Sequence, residues 1–162
     1  MGIILFSEIQ RFGKWLKWPL MGLILWLFYQ LGISIGEGDE YKNWNFWEPV
    51  IVPLVLMGLL FFVKLETRMD KKGIYVQFFP FHWKPKFYAW ESIVHVEVRT
   101  YRPIREYGGW GLKYGWGGQG MSYTVSGSTG LQLHFSNGKK LLIGTQKGET
   151  LKEILTHLQK LN

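Results

Sequence analysis

Leu131-Gln132-Leu133-His134-Phe135-Ser136-Asn137-Gly138-Lys139-Lys140-Leu141-Leu142-Ile143 is the stretch that decides how the C-terminal part of the chain folds. Leu131, Leu133 and Phe135 recur at every second position with Gln132 and His134 between them, which is the period of a strand with one buried face. Asn137-Gly138 then parts this run from Leu141-Leu142-Ile143, and Asn-Gly between two apolar runs predicts a hairpin because both residues accept positive φ. Outward toward the N-terminus the same period returns. Val94, Val96 and Val98 alternate with His95, Glu97 and Arg99, and Ile74, Val76 and Phe78 share one face of an earlier strand. Toward the C-terminus, Leu151, Ile154, Leu155 and Leu158 follow the i, i+3, i+4, i+7 spacing of a helix face, and Thr150-x-x-Glu153 has the form of a capping box. One amphipathic helix after six or seven strands predicts a small barrel or sandwich plugged at one end.

Further upstream the pattern loses its period. From Trp15 to Ile35 the strongly polar side chains are Lys17 and Gln30, and a second apolar run from Phe46 to Val63 is broken by Trp47-Glu48, Pro49 and Pro53. Twenty-one helical residues reach about 31 Å, one hydrocarbon thickness, so these runs predict a membrane α-helical hairpin. The expected organisation is an interfacial helical segment at 1–14, transmembrane helices at 15–36 and 46–64 around an acidic loop at 37–45, and a β domain at 65–162. Arg11, Lys14 and Lys17 before the first run and Lys64, Arg68, Lys71 and Lys72 after the second, against Glu37, Asp39 and Glu40 between them, place both termini on the cytoplasmic side of the inner membrane. The chain has one alanine, Ala89, so the first run lacks the cleavage site of a signal peptide.

Composition narrows the function. There is no cysteine, which removes disulfides, thiolate nucleophiles and Cys-based metal sites. Residues 64–162 hold 15 Lys+Arg and 7 Asp+Glu, a surplus of 15 − 7 = 8 positive charges. No helix-turn-helix, zinc-finger or ribonucleoprotein-type motif accompanies that charge, so a nucleic-acid partner is not expected. The carboxylates are scattered and form no acid/base pair, no catalytic residue is identified, and neither a Walker loop nor a dinucleotide fingerprint occurs, so no cofactor is expected. His95 and His134 share the outward phase of strands that can be neighbours, but no metal-ligand spacing joins the four histidines, and solvated strand residues are the simpler reading; no metal is expected.

Leu65-Glu66-Thr67-Arg68-Met69-Asp70, Gly73-Ile74-Tyr75 and Phe87-Tyr88-Ala89-Trp90-Glu91-Ser92-Ile93 resemble the bacterial pleckstrin-homology-like domains that follow membrane helices. Arg105-Glu106-Tyr107-Gly108-Gly109-Trp110-Gly111 and Leu142-Ile143-Gly144-Thr145-Gln146-Lys147 resemble an uncharacterised subgroup of them. The resemblance implies a mainly-β split barrel of about seven strands capped by the C-terminal helix, and it implies no activity. The basic run of phosphoinositide-binding relatives is replaced here by Phe87-Tyr88-Ala89-Trp90.

Two groups of residues remain as candidate binding determinants. Arg102, Arg105, Tyr107, Trp110, Lys113, Tyr114 and Trp116 lie in a glycine-rich segment, read as a long connection whose aromatic and arginine content suits a protein partner or self-association. Lys64, Arg68, Lys71, Lys72, Lys84 and Lys86 form an expected basic collar against anionic lipid. The function expected from these features is a non-enzymatic, membrane-anchored interaction module, with lipid-headgroup binding as the alternative and an enzyme third.

Overall fold

The computed structural model describes residues 4–36, 51, 54, 55, 58 and 61–158. The chain forms two compact units, Met1–Arg11 with Lys64–Asn162, and Phe12–Val63.

The first unit is mainly β. Its described residues form nine strands in two sheets: β1 (Phe6–Arg11), β2 (Lys64–Met69), β3 (Gly73–Phe79) and β4 (Lys86–Ala89) in the order β1-β2-β3-β4, and β5 (Ile93–Thr100), β6 (Gly111–Tyr114), β7 (Met121–Thr124), β8 (Thr129–Phe135) and β9 (Lys140–Gly144) in the order β5-β8-β9-β7-β6. Every pairing is antiparallel except β7 with β9. The buried faces carry Leu65, Met69, Ile74, Val76 and Phe78 from one sheet and Val96, Tyr123, Leu131, Leu133, Leu141 and Ile143 from the other. Phe78 stacks on Tyr123 at 6.3 Å and Tyr88 lies 5.4 Å from Phe135, so the core is a two-sheet interior. A C-terminal helix, Gly148–His157, buries Leu151 and Leu155. It starts two residues ahead of the expected capping box, and no side chain caps it.

Several expectations are corrected here. The described part of 1–14 does not form an interfacial helix: β1 pairs with β2 along its whole length, from Phe6↔Met69 to Arg11↔Lys64. Its inward positions are Phe6, Glu8 and Gln10, while Ile9 faces out. Two polar residues point inward because their partners lie far along the chain. Gln10 Nε2 donates to Gly144 O at 2.7 Å, and Glu8 accepts from Thr145 Oγ1 at 2.7 Å and from Gln146 N–H at 2.8 Å.

The membrane hairpin is likewise overturned. Residues Lys14–Gly36 form one helix, α1, but among the described residues no helix is long and apolar enough to cross a membrane. The apolar run bounded by Lys17 and Gln30 is 12 residues, Trp18 to Tyr29, about 18 Å against about 30 Å of hydrocarbon, and Pro19 stands inside it. The expected loop 37–45 lies outside the described residues. Of 46–64, Ile51, Leu54, Val55, Gly58, Phe61 and Phe62 are helical, Lys64 already belongs to β2, and the other positions before Phe61 lie outside the described residues. Integral membrane partnering and the inner-membrane orientation built on two spans fall with them.

The β domain is also larger than the seven-stranded barrel expected from 65–162, since it recruits β1 across the intervening unit. In β5 a bulge between Ile93 and His95 takes Val94 out of the inward phase, leaving it exposed while Val96 is buried.

Candidate functional site

The glycine-rich segment after β5 is structured. Pro103–Tyr107 is a short helix, here α2 (the C-terminal helix Gly148–His157 is α3), ended by Gly108 in the left-handed conformation, and β6 follows. Tyr107 is buried with Tyr101 and Leu142 on the outer face of the five-stranded sheet. Arg99 on β5 pins the helix, with a 2.8 Å ion pair to Glu106 and two hydrogen bonds at 3.1 Å to Gln132 Oε1. Burial works against the Glu106 charge, but the Arg99 guanidinium and the Arg102 N–H outweigh it and hold the carboxyl below its ordinary value. Trp110 Nε1 donates to Gly127 O at 2.8 Å. Tyr107 and Trp110 are thus packing elements, whereas Arg102, Arg105, Lys113, Tyr114 and Trp116 are exposed.

The basic residues do not form one collar. Lys64 and Arg68 both pair with Glu66, Lys64 at 3.6 Å, and Lys71 and Lys72 occupy the β2–β3 turn. Lys64 and that turn lie at opposite ends of β2, about 17 Å apart at strand rise. Lys84 stands in the β3–β4 turn beside the exposed Phe81 and Trp83, and Lys86 opens β4.

What the fold brings together instead is one residue from each group at a cleft of about 510 Å³ between β4, the β6–β7 turn and the β8–β9 turn. Lys86 and Tyr88 come from β4, Tyr114, Met121 and Tyr123 from β6–β7, and Phe135, Lys139 and Lys140 from β8–β9. The described residues that line it include three lysines, three tyrosines and no carboxylate. Lys86 Nζ donates to Tyr123 Oη at 3.3 Å, and the ammonium lies 5.7 Å from that ring's centre. Burial, reinforced by the hydrogen bond and charge of Tyr123, raises the Tyr88 phenol far above its ordinary value, so it stays protonated. Burial, with the Lys86 charge, lowers His82, whose ring meets Tyr123 edge-on at 5.1 Å.

Glycine keeps the β6–β7 side of the cleft narrow-walled. Gly120 has φ +79°, and a Cβ there would stand 2.2 Å from Lys140 O. Gly115 N–H donates to Gly120 O at 2.7 Å and closes the turn. Sequence reasoning named Lys86 and Tyr114 but missed Tyr88, Tyr123, Phe135, Lys139 and Lys140. The Lys139-Lys140 pair directly after Asn-Gly was the one local signal of a cationic hairpin tip.

No protein-family model matches the chain, and no curated protein or solved structure matches it, so nothing in these comparisons names a pleckstrin-homology-like family.

Proposed function

We propose that the chain is a non-enzymatic interaction module whose cleft seats an acidic segment of a protein partner. The observation that carries this is the lining itself: Lys86, Lys139 and Lys140 set among Tyr88, Tyr114, Tyr123 and Phe135 with no carboxylate among the described lining residues. Cations attract the segment, and rigid aromatic walls add contact area at low entropic cost. Tyr88, held protonated with its hydroxyl bonded to Tyr123, adds a neutral aromatic wall instead of a negative charge.

A glutamate-rich peptide carrying a reporter dye, titrated into the full chain, tests the reading. Binding is expected to weaken by about 5- to 30-fold when Lys86 and Lys139 are both replaced by Ser, at roughly 0.5–1 kcal/mol per exposed charge pair. Arg102→Ser with Arg105→Ser, equally cationic but on the outer face, should leave it nearly unchanged. Equal losses from both pairs would reduce the effect to bulk charge. Binding to anionic vesicles with none to the peptide would replace the protein partner by a lipid headgroup.

A further inference from the structure

The outer face of the five-stranded sheet carries a second constellation, independent of the cleft reading. His95 and His134 are direct cross-strand partners on β5 and β8, their rings 5.2 Å apart, and Glu97 lies two residues along β5 on the same face. The Glu97 carboxylate reaches both imidazoles: Oε2 is 4.0 Å from His95 Nε2 and Oε1 is 3.9 Å from His134 Nε2. One donor atom from each of the three residues falls within 4.8 Å of the other two. From this geometry we infer a divalent transition-metal site of the zinc class, with His95, His134 and Glu97 as ligands and a further position left to water.

Three features fit that assignment. Around a tetrahedral zinc with bonds of about 2.0–2.2 Å, donor atoms stand roughly 3.3–3.6 Å apart, so the present spacing closes by rotation of half-exposed side chains without moving the strands. The donor set of two imidazoles and one carboxylate suits Zn²⁺ and its neighbours, not Ca²⁺ or Mg²⁺, which take oxygen ligands. The bulge at Ile93/His95 sets His95 opposite His134 and brings Val96 into register with Leu133; bulges recur where a strand must re-aim a side chain at a site.

The neighbours define the charge balance. Arg99, on the same face of β5, hydrogen-bonds Gln132 and pairs with Glu106, and its charge also acts on Glu97. Lys140 of β9 pairs in register with His134.

Zinc titrated into the full chain, followed by the ring signals of its histidines in NMR, tests the inference without a variant. The expected result is one Zn²⁺ per chain, with the His95 and His134 rings shifting together and His157, at the end of the C-terminal helix, unmoved. Loss of a group one shell beyond the metal costs about 10–100-fold in affinity, and His134→Gln or Glu97→Gln should cost at least as much, while His157→Gln costs nothing. Zinc that leaves the His95 and His134 signals in place, or that binds both ligand variants as it binds the wild type, overturns the site and leaves a histidine pair beside a carboxylate.

Discussion

The two halves of the stretch from Arg102 to Gly120 are alike in composition and opposite in fate. In the first half Tyr107 is 2% exposed, and the Trp110 ring nitrogen is bonded to Gly127 O. In the second, Tyr114 is 74% and Trp116 72% exposed. Aromatic rings among glycines therefore have no fate of their own. The Arg99–Glu106 pair folds α2 back onto the sheet, where Tyr101 and Leu142 receive Tyr107. Pairing of β6 with β7 then carries Tyr114 to the sheet edge, opposite Met121. The rings of the first half pack against the domain and those of the second lie on its surface, and substitutions of the rings should divide along that line.

Tyr107→Ala should show the largest effect, about 3–5 kcal/mol of lost stability in urea unfolding, as for other large buried rings. Trp116→Ser should stay within about 0.5 kcal/mol. Similar losses at the two positions would erase the contrast. Gly115 joins the halves: a Cβ there would stand 2.5 Å from Gln119 Cβ and 2.7 Å from Tyr107 Cε1. Gly115→Ala should thus cost about 1–3 kcal/mol by overpacking, and Tyr107→Ala should relieve much of that in a double-mutant cycle.

A smaller effect is expected from Glu106→Gln, up to about 1 kcal/mol at neutral pH, since the Arg99 pair is partly exposed. Its pH dependence has a definite sign. The folded state holds the Glu106 carboxyl below its ordinary value, so its contribution is present above the unfolded pKa and is lost as pH falls through the lower folded one. Wild type and variant should accordingly converge in stability in acid, and a gap that persists there would remove Arg99 as the anchor of α2.

Period-two alternation made β3, β5, β8 and β9 legible, and the heptad-like spacing of Leu151, Ile154, Leu155 and Leu158 did the same for the C-terminal helix. Asn137-Gly138 marked the hairpin, but the turn is centred one residue earlier, on Ser136-Asn137: the Gly138 N–H donates to Phe135 O at 2.9 Å, and Gly138, at φ +78°, is the residue that follows the turn. The strand β1 was not legible because its inward Glu8 and Gln10 are satisfied by residues 137 and 134 positions away, which no window along the chain contains. Without those partners, residues 1–14 read as an interfacial helix. The run after Lys17 looked like a span because apolar content was counted through Gln30, and content does not say what a helix packs against. The cleft was illegible for a related reason. Its walls come from strand β4 and two separate turns, and only topology sets Lys86 beside Tyr123 and brings Lys139 to the same cleft. Of the histidine site, the outward phase of His95, Glu97 and His134 was visible, but the register that sets His95 opposite His134 was not.

The most direct test of the proposed acid-binding cleft uses two positions of equal exposure, Tyr114 at 74% on the cleft and Ile104 at 73% on α2. A photoreactive phenylalanine analogue placed at each in turn, irradiated with the glutamate-rich peptide bound, reports which surface the peptide occupies. The account predicts a crosslink from position 114, suppressed by Lys86→Ser with Lys139→Ser, and none from position 104. A crosslink from 104 alone, or equal yields from both, would contradict it.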